Sequence, residues 1–378
     1  MIVGAGMAGA VAARLLARLG LCVALVDPQP RCNPCFKAEK IEPDQCELLE
    51  KFGLMHALVP HSGRIREVLE AKDGRILRRL VLEQHGIRYH DMVNLLRDQI
   101  PGEVEFRLGR VRDVVSGPDR QRVLLADGGE IEARLVVLAS GTAGQLASRV
   151  GPPRQSIQSE QSVSFGFDVA RSDGRPFAFD SVTYYPDGHR SRVGYLSLFP
   201  IGDVMRANLF TFWSLRGDQA TAFVREPRAT LESVLPRLSR LIGTIEVVGR
   251  VESARVDLFS VEPRPQAGLV PIADAFQSVC PSTGSGLSKV LTDVDVLCHE
   301  MVPEWLSSPG LGADKVARWY AHPRKLAVDE RSLSGAEYRR RVSLDGSLRW
   351  RAHRARVYSS MRLGGGAESF RLTRKLTA

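Results

Sequence analysis

Residues 271–286 read PIADAFQSVCPSTGSG: an apolar strand end running into Asp274, then Pro281 and two glycines, Gly284 and Gly286, where a helix begins. Glycine-rich turns that open helices bind phosphates, because the first N–H groups of a helix have no partner within it and its dipole favours negative charge. The chain holds another such turn at its start, IVGAGMAG, residues 2–9. Why one chain needs both decides the fold.

Around the first turn, a short apolar strand leads into Gly4, Gly6 and Gly9. An alanine- and leucine-rich helix then runs to about Leu19, Gly20 stops it, and LCVALVD ends in Asp27. This is one βαβ unit. Gly4 makes the tight turn, Gly6 leaves room for a pyrophosphate, and Gly9 lets helix and strand pack closely. Asp27 stands near the spacing expected of an acid that accepts ribose hydroxyls. A glycine turn without a ligand is the plain alternative, and the strand–turn–helix–acid context argues against it. Only Met1, Ile2 and Val3 precede the turn, whereas strands average about five residues; a few more residues are expected upstream.

Further along, PDQCELLEKF reads as a helix stopped at Gly53, and RIREVLEA and RILRRLVLE as a hairpin joined through Lys72-Asp73-Gly74. A helix over DMVNLLRDQI precedes short strands that close in LVVLASG, continuous apolar residues of a strand buried on both faces. From about 160 to 262 the strands are longer and alternating, with one amphipathic helix near 227–242. A βα unit returns at 266–300, before helices rich in tryptophan and arginine. The fold class is therefore α/β: a Rossmann-like dinucleotide domain of the glutathione-reductase type (1–60, 86–158, 264–302), a mixed β-sheet substrate domain (61–85, 159–263) and a helical, arginine-rich segment (303–378). A nicotinamide dehydrogenase would continue with further βαβ units. The interruption and late return favour FAD, with the first turn on the pyrophosphate.

In this order the motifs resemble the group A flavoprotein monooxygenases, the family of para-hydroxybenzoate hydroxylase and the ubiquinone-pathway hydroxylases, over roughly residues 1–300. Besides the first glycines, the family carries Asp-Gly followed by Ser-x-x-Arg, matched here by Ala139-Ser140-Gly141 with Ser148-Arg149 behind. Ser140 replaces an aspartate in a motif implicated in flavin and NAD(P)H contact. The third family motif, Gly-Asp-Ala-Ala-His, three residues, Pro, then Gly-x-Gly, is matched by Ala273-Asp274-Ala275-Phe276-Gln277, Pro281, Gly284 and Gly286. Ala273, Gln277 and Ser288 depart from it. The resemblance implies that Asp274 hydrogen-bonds the ribityl chain. It also implies that the helix start at Gly284-Ser285-Gly286-Leu287 faces the pyrimidine edge of the isoalloxazine, where N–H groups stabilise the charge that develops on reduction. Lys37, in PCFKAEKIEP, would approach the flavin phosphates, with a solvated loop lysine as the alternative. Tyr89 stands where the family often has an FAD-contacting arginine, and Arg97 reads equally well as surface.

By this resemblance the chain is a monooxygenase that reduces FAD with NAD(P)H, captures O2 as a flavin C4a-hydroperoxide and hydroxylates a small aromatic or isoprenoid-type substrate. Tyr195-Leu-Ser-Leu-Phe199-Pro200 is similar to the Tyr-x-Trp-x-Phe-Pro of geranylgeranyl-reductase relatives, with Ser197 for tryptophan, which makes a C=C reductase the second reading. A non-catalytic FAD-binding protein is the third, given Tyr89, Ser140 and Gln277. The halogenase signature Trp-x-Trp-x-Ile-Pro is absent from the sequence. Tyr184, Tyr185, His189, Arg192, Tyr195, Arg206 and Trp213 lie on or between the alternating strands and can line a substrate pocket, but half must face away. No catalytic base is assigned.

Composition sets the outer bounds. The 378 residues are 44% hydrophobic and 25% charged, enough for more than one core. The net charge of +9 attracts an anionic cofactor or substrate before lipid or nucleic acid. Much of the arginine clusters in YRRRV and RWRAHRAR after residue 337, read here as solvated faces of terminal helices, and no nucleic-acid partner is expected. Six cysteines, at 22, 32, 35, 46, 280 and 298, form no disulfide framework and fit a reducing, cytoplasmic setting. Cys32 and Cys35 read as loop cysteines, and no metal site is expected. No run of 18 apolar residues spans a membrane, and the apolar N-terminus, lacking a basic leader, is not a signal peptide.

Overall fold

The structure is a computed structural model that describes residues 1–142, 145–151 and 153–363. A five-stranded parallel sheet runs in the order Leu269–Pro271, Val136–Leu138, Ile2–Val3, Ala24–Asp27, Glu105–Leu108. The opening strand is thus central, paired Ile2 to Leu25 on one side and Ile2 to Val137 on the other. Its residues are apolar because both faces are covered. Helices Met7–Arg18 and Gly286–Val296 bury one face. A three-stranded antiparallel sheet (Val111–Val115, Gln121–Leu125, Glu130–Ala133) supplies Val123 and Leu125 against Val3, Val26, Val136 and Leu138 on the other. Parallel strands end at one edge of the sheet, so the Gly4–Gly9 turn and the turn after Pro271 emerge side by side at the carboxyl ends of their strands, where ligands of such sheets bind.

The second sheet has eight strands, in the order Ile245–Val261, Arg154–Arg171, Val204–Thr211, Val193–Ile201, Ser181–Tyr185, Gly63–Lys72, Arg75–Gly86, Lys40–Ile41. The hairpin expected at Lys72-Asp73-Gly74 forms, with Lys72 opposite Arg75 and both Asp73 (φ 55°) and Gly74 (φ 71°) left-handed, as a two-residue hairpin turn requires. Alternation along these strands makes two faces. Val163, Phe165 and Phe167 with Ala207 and Leu209 form an apolar face against Phe223, Leu231 and Leu235, each large side chain adding about 1.5–3 kcal/mol on burial. The opposite face is polar, carrying Ser164, Asp168, Arg206, Asn208 and Ser197, and turns toward the first sheet's turns.

The single helix expected near 227–242 is instead a series of short ones, Asp218–Arg225, Pro227–Val234 and Ser239–Ile242. Pro227 forces Glu226 out of helical geometry, and Pro236 and the left-handed Gly243 (φ 79°) end the later turns. The chain closes with Val302–Leu306, Ala313–Tyr320, the 22-residue helix Pro323–Leu344 and Leu348–Arg362; residues 364–378 of the expected C-terminal segment lie outside the described residues. No described helix is long and apolar enough to cross a membrane.

Candidate functional site

Gly4 adopts φ 99°, and a Cβ there would stand 2.6 Å from the Ala139 carbonyl oxygen. A Cβ on Gly9 would collide with the Gly4 carbonyl itself, so the opening helix rests directly on the turn. Gly6 differs: the nearest atom to its missing Cβ is the Tyr89 hydroxyl, 3.9 Å away. That opening, above a helix start with no side-chain cap, leaves backbone N–H groups free for an anion. Asp27 holds the turn from the side. Its Oδ2 accepts the Ala5 N–H at 2.7 Å and its Oδ1 the Gln29 N–H at 2.9 Å, leaving lone pairs free on a carboxylate that has about four acceptor positions.

Of the two readings open for Arg97, the structure selects the inward one. Its side chain is only 7% exposed, its Nε donates to the Ala5 carbonyl at 2.6 Å and its Nη1 to Gln29 O at 2.9 Å. It lies on helix Tyr89–Arg97, two turns beyond Tyr89 and so on the same face; that spacing was the signal available. The neighbouring Arg88 leaves this region and pairs with Asp168, both oxygens at 2.7 Å.

Lys37 and Tyr89 stand between the two turns. The Lys37 ammonium lies 5.2 Å from the centre of the Tyr89 ring. Burial alone would favour the neutral amine, but Tyr89 and Asp274 nearby more than offset it, and the Lys37 pKa is raised. Asp274 in turn is raised by burial, against the opposing pull of Lys37 and Lys289. It has no hydrogen-bond or ion-pair partner among the described residues, so its carboxylate is available to a ligand.

The late turn follows directly. Ala273 is left-handed at φ 53°, a conformation that suits glycine and strains a Cβ. Its N–H is held at 2.8 Å by Asp293 Oδ2. Pro281–Thr283 forms a short turn, Gly284 (φ 69°) reverses the chain, and helix Gly286–Val296 starts with no side-chain cap. Gln45 fastens this turn by donating to the Gly284 carbonyl and to Ser288 Oγ. The Leu287 side chain packs into the core. Behind the turn lies a charge cluster that sequence reading missed. Lys289 reaches Asp293 at 3.0 Å and Asp329 at 2.5 Å, Lys325 reaches Asp329 at 2.5 Å, and Lys325 also sits 3.4 Å over the Phe276 ring. Asp329 and Lys325 come from helix Pro323–Leu344, far along the chain; the i,i+4 spacing of each Lys–Asp pair was visible, but their meeting was not.

The substrate-side candidates separate by face. Tyr184 turns to the apolar side, where its hydroxyl accepts the Gly74 N–H. Trp213 is core, donating to Ser191 O. Arg192 is exposed and His189 lies against Gly346. Arg206, 1% exposed, is saturated by Glu39 (2.7 and 3.1 Å), Glu252 (2.5 Å) and Asp168 (3.3 Å). Tyr185 and Tyr195 turn toward the terminal helices, Tyr185 against Tyr358 and Tyr195 against Arg339. The hydroxyls of Ser164 and Ser197 are buried on the polar face with no partner among the described residues. Ser140 likewise has a buried, unpartnered hydroxyl, and the Ser148 side chain lies outside the described residues.

Gly6, Lys37, Asp274 and the Gly284–Leu287 helix start thus line the carboxyl-end side of the first sheet, and the chain can be set beside known proteins. The family described as FAD binding domain matches residues 1–304. Digeranylgeranylglycerophospholipid reductase 2 of Methanothermobacter thermautotrophicus is 26% identical over 344 residues, covering 86% of this chain and 83% of that one. Kynurenine 3-monooxygenase of Salinispora arenicola is 25% identical, covering 84% and 75%. Among solved structures, p-nitrophenol 4-monooxygenase from Pseudomonas putida superposes with a TM-score of 0.76 at 15% identity, over 100% of this chain and 95% of that one. Klebsiella pneumoniae HpxO, solved with FAD and uric acid, gives 0.72 at 17% identity, over 100% and 95%. The chain belongs to the FAD binding domain family; its fold is that of the group A flavin monooxygenases, and it is an FAD-dependent oxidoreductase.

Proposed function

We propose that this flavoprotein is a monooxygenase that hydroxylates a small aromatic or isoprenoid-type substrate, using NAD(P)H as reductant and O2 as oxidant. The balance is substrate C–H, O2, NAD(P)H and H⁺ giving the C–OH product, water and NAD(P)⁺. One oxygen atom enters the substrate and the other leaves as water. Bound FAD would supply the chemistry that carries electrons from nicotinamide to dioxygen. The chain's own residues would hold it: the free N–H groups of the helix start at Gly6 on the pyrophosphate, with Gly4 and Gly9 shaping that turn, Asp27 on the ribose, and Lys37 against the phosphates. Asp274 would take the ribityl hydroxyls, and the Pro281–Leu287 turn with Gly284 and Gly286 would present N–H donors to the ring.

The observation that carries this reading is the partnerless Asp274 carboxylate beside an uncapped helix start, on the same sheet edge as the Gly6 opening. The orphan hydroxyls of Ser164 and Ser197 are suited to orienting a substrate on the polar sheet face. All six cysteines are free, which favours work in the cytoplasm.

The purified protein is expected to be yellow and to release FAD on denaturation. Gly6→Val should remove the flavin and leave the fold intact, because the new side chain points into open space; unchanged FAD content in the variant refutes the site. Substrate-stimulated NAD(P)H oxidation with a product one oxygen heavier supports the hydroxylase. A product two hydrogens heavier supports the second reading, a C=C reductase, favoured by the 26% identical reductase and by the Tyr195–Pro200 segment.

A further inference from the structure

Arg206 has carboxylates on every side; Arg339 has none. Arg339 lies on helix Pro323–Leu344, one turn beyond Gly335, whose missing Cβ would touch Thr283 of the late turn at 3.4 Å. Its guanidinium carbon stands 5.3 Å from the centre of the Tyr195 ring. Tyr185, Tyr338 and Tyr358 complete the surroundings, with Tyr185 5.6 Å from Tyr358 and 6.4 Å from Tyr195, ring centre to ring centre. Among the described residues the guanidinium makes no hydrogen bond and no ion pair, and it is half-buried. Nearby anions are already engaged: Glu70 accepts from the Tyr185 hydroxyl at 2.8 Å and pairs with Arg78. The Tyr195 hydroxyl is occupied by the Ser282 carbonyl at 3.2 Å, which ties this cage to the turn opening the late helix. Lys72, 5.0 Å over the Tyr358 ring, adds a second positive charge.

A guanidinium stays charged, carries five N–H donors, and loses stability when those donors are withdrawn from water without acceptors. Such a guanidinium suits an oxyanion that can take two of its N–H donors at once, carboxylate or phosphate, and aromatic walls suit the apolar body attached to that oxyanion. We propose that Arg339 and its tyrosine cage bind the anionic headgroup, carboxylate or phosphate, of an organic substrate whose apolar body extends over Tyr195 toward the Pro281–Gly286 turn. The anion site stands on its own geometry; that its occupant is the substrate rests on the proposed function.

The test is calorimetric titration of the purified protein with two matched pairs, 4-hydroxybenzoate against 4-hydroxybenzamide and geranyl phosphate against geraniol. The pair showing an anion preference identifies the headgroup. Wild type should prefer one anion over its neutral partner by about 10- to 100-fold, the range of a hydrogen-bonded charge. Arg339→Gln should abolish that preference, Arg339→Lys should keep part of it, and FAD content should be unchanged in both. A preference that survives in Arg339→Gln, or no anion preference in either pair, overturns the proposal. Because binding is read with or without flavin, failure of the cage and failure of the FAD site are distinguishable. If Arg339→Gln does not fold, the wild-type preference and Arg339→Lys still decide.

Discussion

The two glycine turns solve the same backbone problem by different means. The early turn is shaped first by missing side chains: Gly4 takes its positive φ freely and Gly9 removes the side chain that would strike it, while Asp27 and Arg97 hold Ala5 from the side. At the late turn Ala273 occupies a left-handed conformation with its Cβ in place, and the strain is held by charge, since Asp293 grips the Ala273 N–H and is itself fixed by Lys289. Absence of atoms makes the first turn; buried ion pairs brace the second. The lesson is that one requirement, backbone exposed to a ligand, can be met by sequence-local choice or by long-range packing.

Lys289→Met should separate the two most sharply. Removing the ammonium leaves Asp293 and Asp329 buried without it, which costs about 3–5 kcal/mol. Urea denaturation should register that loss, with FAD released earlier than in wild type. An unchanged midpoint would mean that the cluster does not brace the late turn.

Gly9→Ala tests the early turn, where the added methyl meets a backbone carbonyl and something must move. Overpacking of this kind costs about 1–3 kcal/mol, and thermal unfolding together with flavin retention should both suffer. A variant as stable as wild type, with full flavin, would show that helix and turn are not in close contact.

Asp295, at the far end of the late helix, gives a pH dependence. Its side chain is fully buried. Burial would raise its pKa, but hydrogen bonds from Lys51, Arg324 and His299, all at 2.7 Å, overcome that and depress it. A depressed carboxyl binds fewer protons folded than unfolded, so its stabilisation is present above the ordinary carboxylate pKa near 4 and fades as pH falls below it. Asp295→Asn should lose about 1.5 kcal/mol at pH 7, with the gap to wild type closing in acid; a constant gap would contradict the assignment.

Ala273→Gly should have the smallest effect and the opposite sign. Glycine relieves the left-handed strain but gains freedom in the unfolded chain, for a net stabilisation under about 1 kcal/mol. Combined with Lys289→Met it should recover part of the loss if strain at Ala273 is what the cluster opposes.

Much of the fold was legible because its signals are local. The glycine spacings, the strand before each turn, the Asp73-Gly74 hairpin and the doubly buried LVVLA strand each depend on residues a few positions apart. Over 227–242 the apolar periodicity suggests one helix, whereas Pro227 and Pro236 break it into short ones. At the candidate site, motif order alone singles out Gly4, Gly6, Gly9 and Asp274. Arg97 stays open between surface and interior on sequence alone, because a helix face can be read from sequence but not what stands opposite it. The terminal arginines, read as solvated, divide on the same ground: Arg339 turns inward against tyrosines, while Arg341 pairs at the surface with Glu337.

The sequence by itself determined that two glycine turns open helices with free N–H groups, since turn conformation follows from glycine placement. Only the tertiary structure decided which charges are satisfied. Arg206 meets Glu39, Asp168 and Glu252 across strands and loops, Lys289 meets Asp329 from a distant helix, and Arg339 meets no anion at all among the described residues. Coulombic pairing acts over a few ångströms whatever the separation along the chain, so it is set by sheet register and helix docking and not by any local pattern.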